Sequence, residues 1–159
     1  MAMASDLSTE NAFEFLRCEA EQRWQRLLER PEVDHGNGAL GHLAKLPQDR
    51  PEWWRVWGAS VFVSEQCARH PDMLSGLLEA GLLDQQVTPE SVCERVRAAT
   101  GGCAEETSLH QQLRRCRMRE MVRIAWRDLG GLSNLEETMA GVSALADVYI
   151  NETIIYHTH

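Results

Sequence analysis

The chain reads as all-α. Apolar residues recur at steps of three and four through most of its length, which is the period of an amphipathic helix. Proline, glycine and hydroxyl residues fall where helices start and stop, and strand signals are absent until the last few residues. These observations predict about six helices in an irregular bundle. A long arginine-rich helix near 107–129 is followed by a capped helix near 133–149.

The first helix runs from about Ser8 to Arg30, with Phe13, Leu16, Ala20, Trp24, Leu27 and Leu28 on helical spacing, and Pro31 ends it. From Pro31 to Pro51 the residues Gly36, Gly38, Gly41 and Pro47 indicate a loop with at most one short helix around Leu40 to Leu46. A second helix opens at Pro51, a residue suited to a first turn, and continues through Trp53, Val56, Trp57, Ser60, Val61, Ser64 and Ala68. His70 precedes Pro71, which disfavours further helix. A short third helix covers Asp72 to Ala80, with Gly81 as the C′ residue. Thr88-Pro89-Glu90 starts the fourth helix with a hydroxyl cap, and Gly101-Gly102 ends it. The fifth helix spans about Thr107 to Leu129. The sixth begins at Ser133, where Ser133-Asn134-Leu135-Glu136 reads as a capping box. Its residues Leu135, Met139, Val142, Ala146 and Tyr149 form one helical stripe. The last residues, Tyr149 to His159, lose helical character and read as an altered or truncated ending.

A length of 159 residues with 43% apolar and 25% charged residues suits one globular domain, or a domain with a tail. The net charge of −8 argues against general nucleic-acid binding and against a membrane surface, both of which favour positive proteins. No apolar run approaches a membrane span, and the first residues lack the basic and apolar regions of a secretory signal. A cytoplasmic location is expected. Cys18, Cys67, Cys93, Cys103 and Cys116 are never two residues apart, so they read as reduced core residues instead of zinc ligands.

Candidate functional groups are few. Arg115, Arg119, Arg123 and Arg127 recur every fourth residue and share one flank of the fifth helix. With Arg114 and Arg117 they face only Glu120 and Asp128 between residues 107 and 128, so the remainder of the chain carries a charge of −12. Such a ridge has two readings: it holds an oxyanion or an acidic partner through forked guanidinium bonds, or it pairs with the protein's own carboxylates. Leu113, Cys116, Met121, Ile124 and Trp126 belong to the core side of the same helix. Trp53, Trp54 and Trp57 form an aromatic cluster. Trp53 and Trp57, four apart, fit core packing, which leaves Trp54 as a candidate exposed contact. His35, His42, His70 and His110 stand alone, and His157-x-His159 lacks a third ligand, so no metal site is expected. Nucleophile-elbow, phosphate-loop and H-E-x-x-H motifs are absent, and no catalytic residue is assigned.

One stretch carries a resemblance. Leu113-Arg114-Arg115, Arg119-Glu120-Met121, Arg123-Ile124-Ala125-Trp126-Arg127-Asp128-Leu129, Leu135-Glu136-Glu137-Thr138 and Leu145-Ala146-Asp147 closely resemble a segment of the bifunctional glutamine synthetase adenylyltransferase/adenylyl-removing enzymes of bacteria. Trp57-Gly58-Ala59-Ser60, Phe62-Val63 and Arg69-His70-Pro71 with Leu74 look like that family's earlier helices. The resemblance implies that residues 1–147 are an amino-terminal helical region of the adenylyl-removing half, with 148–159 a divergent tail. In the family this region precedes a nucleotidyltransferase core, whose glycine turn and paired aspartates hold magnesium. One half strips AMP from a tyrosine of glutamine synthetase by phosphorolysis, the other adds it from ATP, and the nitrogen-signalling protein PII and glutamine set the balance. The implied cofactors, magnesium and ATP or ADP, belong to that core and not to this chain.

The sequence departs from the family pattern in having no Asp-x-Asp, the carboxylate pair that a two-metal phosphoryl-transfer site uses. Leu129-Gly130-Gly131-Leu132-Ser133 only mimics the glycine turn, because a capped helix with Glu136 and Glu137 follows it. The expectation is therefore a family fragment without catalysis of its own. The alternative is a stand-alone helical module that docks on an acidic partner through Arg115, Arg119, Arg123 and Arg127.

Overall fold

The chain condenses into two units, Met1–Ala80 and Gly81–His159. The structure, a computed structural model, describes residues 3–36, 38–103 and 105–158. Among the described residues all regular structure is helical, as the periodicity predicts. Eight α-helices appear among the described residues where about six were expected, because one predicted helix is broken and a short extra one forms in a loop.

In the first unit α1 covers Met3–Leu28 and buries Ala20, Trp24 and Leu27. The loop after it holds two 3-10 turns, Asp34–Gly36 and Gly41–Lys45, and a single helical turn, α2, at Leu46–Asp49. The predicted helix from Pro51 to Ala68 is corrected to two, α3 at Trp53–Ala59 and α4 at Val61–Arg69. Ser60 separates them. Its backbone is extended, and its hydroxyl accepts from the Val63 N–H at 3.2 Å, so this serine caps α4 instead of continuing α3. The hydroxyl thus competed with the helix and won. Helix α5, Pro71–Glu79, starts on Pro71 and ends before Gly81, whose φ of +62° is the left-handed conformation expected of a C′ glycine.

Helix α3 packs on α1 more closely than side chains normally allow. A Cβ on Gly58 would overlap the Leu16 carbonyl oxygen, so only glycine permits this approach. The carbonyls of Trp57 and Gly58 at the end of α3 lack helical partners, and Arg23 of α1 donates to both at 2.8 Å. Trp24, Trp53 and Trp57 pack around this contact, tilted at 5.5 Å between ring centroids (Trp24–Trp53) and edge-to-face at 5.3 Å (Trp24–Trp57).

In the second unit α6, Pro89–Thr100, begins at the Thr88 cap as predicted, with Ser91 completing a reciprocal capping box. Helix α7, Glu106–Leu129, ends in a Schellman motif at the double glycine: Leu132 N–H donates to the Arg127 carbonyl at 2.7 Å and Gly131 N–H to Asp128 at 3.1 Å, with Gly131 at φ +75°. Helix α8 spans Leu135–Thr158. Its cap is Asn134, not Ser133 as the capping-box reading expected: Asn134 Oδ1 accepts from Glu137 N–H at 2.8 Å. Ser133 instead pairs its hydroxyl with that of Thr138 at 3.1 Å.

Helix α8 corrects two further expectations. Of the stripe, Leu135, Met139, Val142 and Ala146 lie on the exposed side, with Leu135 74% accessible, while Tyr149 is partly buried against the core. The buried side is Gly141, Ala144, Leu145 and Val148, which join Val92 and Val96 of α6 and Leu109, Leu113, Cys116 and Ile124 of α7. Both faces of the helix are apolar, so spacing alone did not reveal which one turns inward. The helix also continues without a break beyond Tyr149. Isoleucine and threonine weaken local propensity, but extending a formed helix adds one hydrogen bond per residue. Glu152 then ties this end to α6 through Thr100 Oγ1 at 3.2 Å and Arg97 at 3.5 Å.

Candidate functional site

The arginine ladder on α7 splits into two halves. Arg115 is exposed and Arg119 is half-buried, with its Nε 3.6 Å from Glu120. Arg123 is fully buried and Arg127 nearly so. Four-residue spacing on a straight helix drifts around its axis, so a ladder that begins in solvent ends inside.

What the inner arginines touch explains why burial is tolerated. The segment from Leu82 to Val87 is irregular, and its carbonyls have no helical partners. Arg123 donates from Nε to Leu82 O at 2.8 Å and from Nη2 to Gln85 O at 2.9 Å and Gln86 O at 3.1 Å. Arg127 donates from Nη1 to Leu83 O and from Nη2 to Leu132 O, both at 2.8 Å. Two guanidinium forks thus stand in for a missing ladder of backbone bonds.

Their charges are balanced by two carboxylates. Glu120, fully buried, receives a bidentate bond from Arg95 of α6, both contacts at 2.9 Å, and a longer one from Arg123 at 3.4 Å. Glu137 of α8 accepts from Arg127 Nε at 2.7 Å and from the Val87 N–H at 2.9 Å. Burial lowers the Arg123 pKa, an effect that the neighbouring Arg95 reinforces and Glu120 opposes. At Glu137 burial pushes the carboxyl upward, but the bonds from Arg127 and Val87 outweigh it and leave it below the usual glutamate range. The network joins α6, α7, α8 and the irregular segment.

These findings decide between the two uses of the ridge for half of its members. Arg123 and Arg127 are saturated internal donors and are corrected as candidate partner contacts, while Arg115 and, in part, Arg119 stay accessible. The sequence pattern could not separate them, because the acceptors are mostly backbone carbonyls about forty residues away.

Trp54 is corrected as well. It is half-buried, with Phe13 against its edge at 5.9 Å and the guanidinium groups of Arg17 and Arg55 at 5.1 and 5.3 Å from the ring centre. Contacts within the first unit therefore already occupy much of the ring. The packing expected of Trp57 and Trp126 is observed, both fully buried. All five cysteines are free thiols. Cys67 and Cys116 are buried, and burial raises both pKa values, which suppresses thiolate formation. His157-x-His159 lies outside the described side chains.

One constellation has no sequence signal at all. Ser75 Oγ donates to Glu79 Oε1 at 2.7 Å and lies 3.0 Å from His42 Nε2. It resembles a serine–histidine–acid set, but the geometry is wrong for one. Glu79 approaches the same Nε2 of His42, at 3.6 Å, where a triad needs the acid on the other ring nitrogen. Ser75 is also buried. The trio fastens the loop before α2 to α5.

Among the described residues no group of three or more histidine, cysteine or acidic side chains is placed to hold a metal ion. The two carboxylates of the α7 network are committed to guanidinium groups and offer no free ligand to magnesium. No helix of the described residues is long and apolar enough to cross a membrane.

Comparison with known proteins agrees with the resemblance. A family model described as glutamate-ammonia ligase adenylyltransferase matches residues 52–158. A bifunctional glutamine synthetase adenylyltransferase/adenylyl-removing enzyme of Pseudomonas aeruginosa is 41% identical over 114 residues, covering 71% of this chain and 12% of that protein. Proteins of the same name from Shewanella loihica and Pseudomonas syringae are each 34% identical, over 82% and 83% of the chain and 13% of their own length. No solved structure gives a significant match. The chain spans about an eighth of the length of the curated relatives it matches. It belongs to the glutamate-ammonia ligase adenylyltransferase family.

Proposed function

We propose that this chain is an amino-terminal helical framework of a glutamine synthetase adenylyltransferase/adenylyl-removing enzyme and does not itself transfer AMP. One observation carries the reading: the family-matched segment turns its most distinctive charged residues, Arg123, Arg127, Glu120 and Glu137, inward as structural partners. Groups saturated in this way are poor candidates for binding a reacting phosphoryl group. The chain also holds no Asp-x-Asp pair.

On this reading glutamine synthetase is the substrate of the activity the framework serves, and PII is its regulator. Magnesium and ATP or ADP act at a nucleotidyltransferase core outside these residues, and the cytoplasm is where the protein works. The test is direct. Purified chain incubated with adenylylated glutamine synthetase, phosphate and magnesium should release no ADP, whereas the full-length Pseudomonas aeruginosa relative should release it. Turnover by the chain alone above background overturns the proposal.

A further inference from the structure

The first unit contains a cavity of about 240 Å³ between α1 and α4, lined by Arg23, Arg26, Arg30 and Arg69 together with Ser64 and Glu65. Four guanidinium groups around one carboxylate is an unusual lining for a chain of net charge −8. Arg23, Arg26 and Arg30 recur at steps of three and four along and just past α1, and Arg69 closes the far wall from the last turn of α4.

The four arginines are not equally committed. Arg23 is: its Nη1 holds the end of α3 and its Nη2 pairs with Glu19 at 2.7 Å. The other three have spare donors. Arg26 is exposed, and its side chain makes no hydrogen bond or ion pair among the described residues. Arg69 pairs with Glu65 at 2.9 Å, but both side chains are in solvent, where such pairs contribute little. Arg30, with its side chain 42% exposed, reaches only Glu32 among the described residues, at a loose 3.8 Å.

We propose that this pocket binds a small phosphate-bearing dianion through Arg26, Arg30 and Arg69. A single carboxylate neutralises one guanidinium and occupies one fork. A phosphate group brings about two charges and three terminal oxygens, which matches three available arginines. The volume admits a phosphate and a short organic substituent. Because the protein as a whole repels anions, binding of a dianion reports a local site.

The test uses the full chain at constant ionic strength. Its melting temperature is followed against inorganic phosphate and, separately, glycerol 3-phosphate, with chloride as the reference. A saturable rise with either ligand is expected, since a ligand selective for the folded state stabilises it. The double variant R26Q/R69Q should fold alike by far-UV circular dichroism and bind about tenfold more weakly or worse. R115Q, an exposed arginine of the other unit, should bind as the wild type does. A response to both ligands supports recognition of the phosphate group itself. A response to one alone also supports the site and identifies the source, free phosphate or a small phosphomonoester. No saturable rise, an equal rise with chloride, an unchanged affinity in R26Q/R69Q, or binding of citrate in place of both phosphates overturns the proposal.

Discussion

Arg123 and Arg115 lie eight residues apart on one helix and have opposite fates. Arg123 is buried against Leu82, Gln85 and Gln86 carbonyls and Glu120. Removing its guanidinium strands these acceptors and leaves Glu120 with less compensation. Arg123→Met should therefore destabilise the protein by about 3–5 kcal/mol, the range for breaking a buried charged network from one side. Arg115→Gln removes an exposed side chain and should change stability by less than about 0.5 kcal/mol. Urea unfolding followed by far-UV circular dichroism checks both. Equal effects of the two substitutions would refute the division of the ladder.

At the scale of the element, α8 depends on its cap and on one of its two apolar faces. Asn134 Oδ1 bonds the Glu137 N–H at 2.8 Å, so Asn134→Ala should cost about 1 kcal/mol, whereas Ser133→Ala should cost less, because Ser133 does not cap the helix. The faces should respond unequally as well. Leu145→Ala opens a cavity beside α6 and α7 and should cost about 2–5 kcal/mol. Leu135→Lys, at a site 74% exposed, should cost little. Thermal melts of the four variants rank them, and a greater loss in L135K than in L145A would show that the exposed stripe is the one that packs.

At the scale of the whole molecule, pH acts on the second unit through Glu137, which links α8 to α7 and to the start of α6. Its carboxyl is held below the usual glutamate range in the folded state. A depressed acid pKa contributes stability that is complete above the unfolded value of about 4.3 and is lost as pH falls through the folded value. Stability should thus drop on acidification below about pH 4.3, and the drop should be shallower in Glu137→Gln, which is less stable at neutral pH. Trp126, the sole tryptophan of residues 81–159 and fully buried, reports the transition by fluorescence once Trp24, Trp53, Trp54 and Trp57 are replaced by phenylalanine. An acid limb as steep in E137Q as in the parent would exclude Glu137 as its source.

How much of this was legible in the sequence depended on how local the cause was. The helix start at Thr88 and the stop at Gly81 rest on bonds within a few residues and appeared where composition placed them, and the start expected at Asp72 came one residue earlier, at Pro71. The break at Ser60 was missed although its cause is local, because a serine inside an apolar-periodic run fits a helix interior as well as a cap. The family was legible too, since Leu113 to Asp147 carries its residues in order. The cationic pocket was not, because Arg69 lies far along the chain from Arg23, Arg26 and Arg30 and only the packing of α4 brings it beside them.

By itself, then, the sequence determined the all-α class, most helix boundaries and the family, because periodicity, capping and residue order act over short stretches of chain. Only the tertiary structure decided which half of the arginine ladder is internal, which face of α8 is buried and where accessible positive charge gathers. Those outcomes depend on acceptors and neighbours brought from distant positions: the carbonyls of Leu82 to Gln86, the carboxylate of Glu137, and the end of α4 against the end of α1. A side chain's spacing sets its direction around its own helix, but its role follows from what the fold places opposite it.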